Sequence, residues 1–367
     1  MSIESLVKPY VAKLEPYQPG KPVEELEREL GISGAIKLAS NENPLGPSPK
    51  AVEALRAALG EVHRYPDGSS FRLRRKLAAR LGVEPGALVF GTGSDGILEF
   101  LAKAFLAPGD EAVFAWPSFA MYPIVVGGSG ARAVSVPLDE GLVHDLPAMS
   151  RAIGERTRLV IVCNPNNPTG TSVGAAAFDR FVEALPADVV LAVDEAYVEY
   201  VRRPDFPDAL AWVRRRPGTI VLRTFSKIYG LAGLRVGYGI GDPELVGFLE
   251  RTRHPFDVSS LAQVAAEAAL DDDDHVARSR RANAEGMEWL ARELASLGIE
   301  TWSSDANFLL ARAGGRATYD ALLREGVIVR PLGGFGLTEH VRITVGLPEE
   351  NARLVAALGK IRAEAKP

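Results

Sequence analysis

The chain has 367 residues, too many for one small core, and its 47% hydrophobic and 24% charged residues are the balance of an ordinary globular protein. A net charge of -5 argues against general nucleic-acid binding, and no apolar stretch is long enough to cross a bilayer. A single cysteine, Cys163, excludes an intrachain disulfide, and Met1–Leu6 lacks a basic-then-apolar leader, so the expected setting is the reducing cytoplasm.

Residues 1–35 alternate short helical signals with Pro9, Pro16, Pro19 and Pro22. That pattern predicts an arm lying across another part of the fold. From residue 36 to 245, short β-branched runs alternate with helical patterns, for example Ala87–Phe90, then Ile97–Phe105, then Glu111–Phe114. Such alternation predicts a large α/β domain with a mainly parallel sheet covered on both faces. The unbroken apolar run Val189–Val193 fits a strand buried on both sides. From 246 to 367 the pattern changes to a long helical segment (roughly Leu261–Leu297), strand-like runs at Asn307–Ala311, Val327–Arg330 and Val341–Val345, and a closing helix, Glu349–Ala363. These predict a smaller α+β domain. The acidic run Asp271–Asp274 reads as a solvated turn at a helix start rather than a cation site, and no metal is expected.

Gly91-Thr92-Gly93-Ser94-Asp95-Gly96 matches G-x-G-x-x-G between a predicted strand and helix. A dinucleotide site also needs an acid at the far end of the next strand, but Asp110 and Glu111 precede that strand. The surviving content is a helix N-terminus, with glycines before it, that suits a cofactor phosphate.

Three apolar runs end in unusual polar groups. Leu159–Cys163 leads into Asn164-Pro165-Asn166-Asn167-Pro168-Thr169-Gly170, Val189–Val193 into Asp194-Glu195-Ala196-Tyr197, and Thr219–Leu222 into Thr224-Phe225-Ser226-Lys227. A lysine delivered to the end of a buried strand is costly unless paired or reacting. Ser226, Gly230, Gly233 and Arg235 around it suit a phosphate. Asp194 lies 33 residues before Lys227, about one strand-helix-strand unit. That pairing fits pyridoxal phosphate: the lysine holds the aldehyde as a Schiff base and moves protons, and a fixed carboxylate keeps the ring nitrogen protonated. Asn167 and Tyr197 would contact the phenolic oxygen, and Phe119 would stack on the ring.

The segments Asn164–Gly170, Asp194–Tyr197, Ser226-Lys227 and Gly233-Leu234-Arg235-Val236-Gly237, in this order, resemble those of the fold-type-I pyridoxal phosphate aminotransferases. Leu14–Lys21, Ser40–Pro44, Arg64–Asp67 and Val341–Gly346 are similar, more narrowly, to the histidinol-phosphate aminotransferase branch of that family. The resemblance runs from about Tyr17 to Ala357. It implies a seven-stranded-type sheet in the large domain, Lys227 as the cofactor's anchor, and Asp194 on the ring nitrogen. It also implies a phosphate held by Gly93, Ser94, Asp95, Thr224, Ser226 and Arg235. Tyr65 would reach that phosphate from the second subunit of a homodimer. Arg342 would anchor the acidic group of the substrate, with Arg330, Tyr17 and Asn41 completing its site. The implied reaction exchanges an amino group between L-histidinol phosphate and 2-oxoglutarate. Relatives carry tyrosine where this chain has Phe119, so the hydroxyl is lost and the stack is kept. An aromatic-amino-acid aminotransferase or a phosphate-substrate decarboxylase on the same framework is the rival reading. A non-catalytic regulator or a nicotinamide dehydrogenase lies further off.

Overall fold

The computed structural model describes residues 2–364. Apolar runs that cannot face water on either side become central strands, and the helices between them cover both faces. In chain order the strands are β1 (Ile36–Lys37), β2 (Leu88–Gly91), β3 (Glu111–Trp116), β4 (Arg132–Pro137), β5 (Thr157–Cys163), β6 (Val190–Asp194), β7 (Thr219–Thr224) and β8 (Gly237–Gly241). They continue as β9 (Glu300–Thr301), β10 (Phe308–Arg312), β11 (Val327–Ile328), β12 (Arg330–Pro331) and β13 (His340–Thr344).

A seven-stranded sheet has the order β2-β8-β7-β6-β5-β3-β4. All its pairings are parallel except those of β8, which runs antiparallel to β2 and β7. One apolar cluster, with Phe178 and Leu191, fills one face, and a second, with Phe100 and Leu222, fills the other. The sheet is therefore a wall buried on both sides, as its uniformly apolar strands require. A separate four-stranded antiparallel sheet, β12-β13-β10-β9, belongs to a third cluster that also takes in Leu26 and Leu38. Parallel pairing of β1 with β11 stitches the chain after the N-terminal arm to this C-terminal region.

Two expectations need adjusting. The long helical segment is two helices, Ser260–Ala269 and Asp273–Ser296. The break follows from Asp272, whose carboxylate accepts the His275 backbone N–H at 3.2 Å and so caps the second helix. The run Val327–Arg330 also splits, between β11 and β12, which belong to different sheets. The G-x-G-x-x-G segment follows β2 at the sheet edge, beside antiparallel β8, which is not the central parallel strand of a dinucleotide fold.

Candidate active site

Register brings the chemistry together. Cys163 at the end of β5 pairs with Asp194 at the end of β6, which pairs with Leu222 two residues before the end of β7. The segments that follow therefore emerge at one edge, where open α/β sheets bind their ligands. A cavity of about 320 Å³ lies there. Of the residues expected from sequence, Ser94, Asp95, Phe119, Asn167, Asp194, Tyr197, Thr224, Ser226, Lys227 and Arg235 line it, as do Tyr17, Asn41, Arg330 and Arg342. Gly93 stands just behind, capping the helix Ser94–Phe105 with φ 89°. Tyr65 is apart from the cavity: it is 82% exposed and stacks on Phe256 at 4.7 Å between ring centroids.

Lys227 Nζ donates to the Ser40 carbonyl at 3.3 Å and lies 5.7 Å from the centre of the Tyr197 ring. Burial, reinforced by the nearby Arg342 and Arg235 cations, lowers its pKa to about 8, against the pull of Glu42 and Asp95. The amine is thus available as a nucleophile and proton carrier close to neutral pH. Asp194 is the opposite case. Burial raises its carboxyl to about 6, although hydrogen bonds from the Tyr122 O–H (2.8 Å) and the Ala196 N–H (3.2 Å) work against that rise. No cationic side chain among the described residues pairs with Asp194, so a buried anion waits for a cation from a ligand. Tyr197 is pushed up by burial, and its hydroxyl accepts from Asn41 Nδ2 at 2.9 Å.

The phosphate end is built by close backbone approach. Thr224 of β7 pairs with Gly237 of β8, which pairs in turn with Gly91 of β2. A Cβ on Gly237 would sit 2.5 Å from the Gly93 carbonyl carbon and the Ser94 nitrogen, so only glycine lets these strands and the helix start converge. That start offers the unpaired N–H groups of a first helical turn. Beside it, Thr224 Oγ1 donates to Ser226 Oγ at 2.9 Å, and Arg235, held at φ 53°, pairs with Asp95 at 3.0 Å. Asp95 lies in the first turn of the helix, and its side chain orients Arg235.

At the other end Arg330 of β12 and Arg342 of β13 stand directly opposite each other in register. Like charges so placed are destabilising. Arg342 is 7% exposed, and its fork donates to Asn167 Oδ1 and, at 2.6 Å, to the Ala39 carbonyl, with Nε unpartnered. Burial first, then Arg330, lowers its pKa to about 10. Arg330 donates to the Gln18 carbonyl at 2.8 Å and lies over the Tyr17 ring at 5.6 Å. Neither arginine has a carboxylate partner among the described residues, so two cations at this end of the cavity are left without a counter-charge. Asn41, which also lines the cavity, is 1% exposed, donates to the Tyr197 hydroxyl and accepts from Thr344 Oγ1, so it helps to hold Tyr197.

The residues present fit pyridoxal phosphate: an amine of lowered pKa, a cation-free buried carboxylate and a phosphate cradle surround one cavity. Sequence reasoning missed Tyr122 and the Ala39 and Ser40 carbonyls. The position of Tyr122, three residues after Phe119 at the start of a helix, was the available signal for the first; backbone carbonyls leave none.

The sequence profile of the family described as "Aminotransferase class I and II" matches residues 33–358. Histidinol-phosphate aminotransferase 2 of Pseudomonas aeruginosa is 52% identical over 364 residues, 98% of each chain. Histidinol-phosphate aminotransferase 1 of Nitrosococcus oceani is 49% identical over 356 residues, 96% of each chain. Among solved structures, the histidinol-phosphate aminotransferase of Sinorhizobium meliloti in complex with pyridoxal-5'-phosphate superposes with a TM-score of 0.90 at 32% identity, covering 98% of this chain and 99% of that one. The chain belongs to the class I and II aminotransferases, on their histidinol-phosphate aminotransferase branch.

Proposed function

We propose that the protein transfers the amino group of L-histidinol phosphate to 2-oxoglutarate, giving imidazole-acetol phosphate and L-glutamate. The observation that carries the substrate class is the Arg330–Arg342 pair, two facing guanidiniums without a carboxylate partner among the described residues, in the same cavity as Lys227. A phosphate monoester with up to two negative charges matches two cations better than a single carboxylate does, and the planar fork of Arg342 accepts either anion in turn. Such bivalence is what an enzyme needs when it takes a phosphate ester in one half-reaction and a dicarboxylic acid in the other. The same charge argument favours this substrate over an aromatic amino acid.

Pyridoxal phosphate, when bound, supplies an aldehyde carbon that condenses with amines and a protonated ring that draws electrons away from the substrate's α-carbon. Lys227 would anchor that aldehyde; once the substrate's amine has displaced it, its freed amine would take the proton from the substrate's α-carbon and hand it to the cofactor's former aldehyde carbon. Asp194, as an ionised and desolvated carboxylate, would keep a proton on the ring nitrogen. Asn167 and Tyr197 would donate to the phenolic oxygen, and Phe119 would cover the ring face. The helix start at Gly93–Asp95, with Thr224, Ser226 and Arg235, would hold the cofactor phosphate. Tyr17, Arg330 and Arg342 would bind the substrate's anionic end in the cavity they share with Lys227.

The division into an arm (1–35), a large domain (36–245) and a small domain (246–367) belongs to the same reading. So do a cytoplasmic setting and a homodimer in which Tyr65 completes the partner's phosphate site. The decisive experiment compares turnover of histidinol phosphate and phenylalanine with 2-oxoglutarate as acceptor. Histidinol phosphate should be preferred by at least about a hundredfold in kcat/KM, the ratio expected for loss of a paired anion contact. Lys227→Ala should abolish the aldimine absorption band of the bound cofactor. Equal turnover of the two amines would reject the substrate assignment, and an unchanged spectrum in Lys227→Ala would reject the cofactor anchor.

A further inference from the structure

Asp194 needs more than burial to serve as counter-ion to a ring nitrogen: burial favours its neutral form and so works against the role. The structure supplies a compensating donor from outside the strand ends. Tyr122, on the helix Met121–Gly128, is 1% exposed, and its hydroxyl donates to Asp194 Oδ2 at 2.8 Å. Its ring is held by Phe114 at 5.8 Å and, edge-on, by Phe119 at 5.7 Å. The other carboxylate oxygen, Oδ1, accepts the Ala196 N–H at 3.2 Å. Each oxygen therefore has one fixed donor and keeps a lone pair for a ligand, and the carboxylate cannot swivel. A buried tyrosine hydroxyl needs an acceptor, and an ionised carboxylate is the strongest one within its reach.

We propose that Tyr122 is a positioning residue, whose hydroxyl keeps the Asp194 carboxylate ionised and fixed as the counter-ion of the cofactor's ring nitrogen. The proposal rests on the pyridoxal phosphate reading and adds a residue that acts through Asp194 rather than on the cofactor. It also couples two contacts. Tyr122 touches Phe119, the residue placed over the ring, so one side chain braces both the ring's face and its nitrogen.

A consequence follows for pH. The titratable groups around Asp194 are Tyr122, the Cys163 thiol, Asp95, Glu195 and Tyr197. Burial pushes the thiol up to about 12, so it stays neutral, and the two carboxylates only raise Asp194 further. Tyr122 and the Ala196 N–H are what oppose protonation. Binding of a ring-protonated cofactor needs ionised Asp194, so affinity falls as pH drops through the Asp194 pKa. Removing the hydroxyl moves that fall to higher pH.

The test is a titration of the cofactor-free chain with pyridoxal phosphate, followed by the absorbance of the bound cofactor across pH. Four proteins are compared: the parent, Tyr122→Phe, Asp194→Asn and the double variant. Tyr122→Phe keeps the ring contacts and changes only the hydroxyl. Its dissociation constant should rise about tenfold at neutral pH, the usual worth of a hydrogen bond to a charged group. Its affinity loss on acidification should begin about one pH unit higher. In the Asp194→Asn background the same substitution should add less than about twofold, because its route is gone. An unchanged dissociation constant and pH profile in Tyr122→Phe overturns the proposal, and so does an equal tenfold loss in the Asp194→Asn background, which marks a packing role. Failure of the parent to bind pyridoxal phosphate overturns the cofactor reading along with it, whereas normal binding by the parent with an indifferent Tyr122→Phe overturns the Tyr122 role alone.

Discussion

Lys227 illustrates how function is carried at a cost in stability. Its amine lies half-buried near the Arg342 and Arg235 cations and beside the Tyr197 ring, and its pKa falls from 10.5 to about 8. The folded state therefore binds that proton less tightly than the unfolded chain does. Below about pH 8 the lysine is charged in both states and the full penalty applies. Between pH 8 and 10.5 the folded state sheds its proton first, so stability from this group rises with pH. Lys227→Met keeps the length of the side chain and removes the charge. In the cofactor-free protein at pH 7 it should gain about 2 kcal/mol, somewhat less than the lowered pKa alone implies because the amine is partly solvated. Urea unfolding at pH 7 and pH 10 checks this. The variant should lead at pH 7, and its lead should shrink by pH 10. A variant no more stable than the parent at pH 7 would show that the amine pays no penalty for its place.

Elements, rather than single residues, explain why the site forms where it does. The parallel strands β5, β6 and β7 are apolar along their length and polar at one end, and Asn167, Asp194 and Lys227 were legible for that reason. A charge at the end of a run that must be buried has no other place to go. The glycine-led helix start was legible too. Its cause was not: Gly237 in β8 serves by backbone approach, and a pairing between β2 and β8 of residues about 150 positions apart leaves no local pattern. Tyr122 escaped for a related reason, since its hydroxyl is one polar atom in an otherwise apolar helix start and its partner lies 72 residues away. The facing arginines were visible as residues but not as a pair, because β12 and β13 are set in register only by the folded sheet. Gly237→Ala tests the element-level account. Its Cβ would meet main-chain atoms at 2.5 Å, which no rotamer change can relieve. The helix start must shift, at a cost of about 1–3 kcal/mol in stability. Affinity for pyridoxal phosphate should fall by at least about tenfold, since a backbone donor set loses its alignment. Calorimetric binding equal to the parent would show that the cradle does not depend on that approach.

At the scale of the whole molecule, Tyr65 is the residue the single chain leaves unused. It is 82% exposed, yet its loop is firmly held: Asp67 accepts the Ser69 and Phe71 N–H groups at 2.8 Å, Arg253 donates to the Gly68 carbonyl at 2.7 Å, and Gln263 donates to the Asp67 carbonyl at 2.9 Å. A rigid loop that presents an aromatic ring to solvent, beside exposed Leu59, Val62, Phe71 and Phe256, is poorly explained by one subunit's own stability. In the proposed homodimer this face is covered and Tyr65 reaches the partner's phosphate site. Two-fold symmetry makes the idea testable by mixing. Lys227→Ala lacks the reacting amine, and Tyr65→Ala lacks the donated hydroxyl. Unfolded together and refolded, they form mixed dimers in which one site has both native residues and the other has neither. If Tyr65 acts across the interface, activity should return to roughly a quarter of the parent's, because random pairing leaves that share of sites intact. If Tyr65 served its own chain's site, every site with the amine would lack the tyrosine, and mixing would restore nothing beyond the activity of Tyr65→Ala alone.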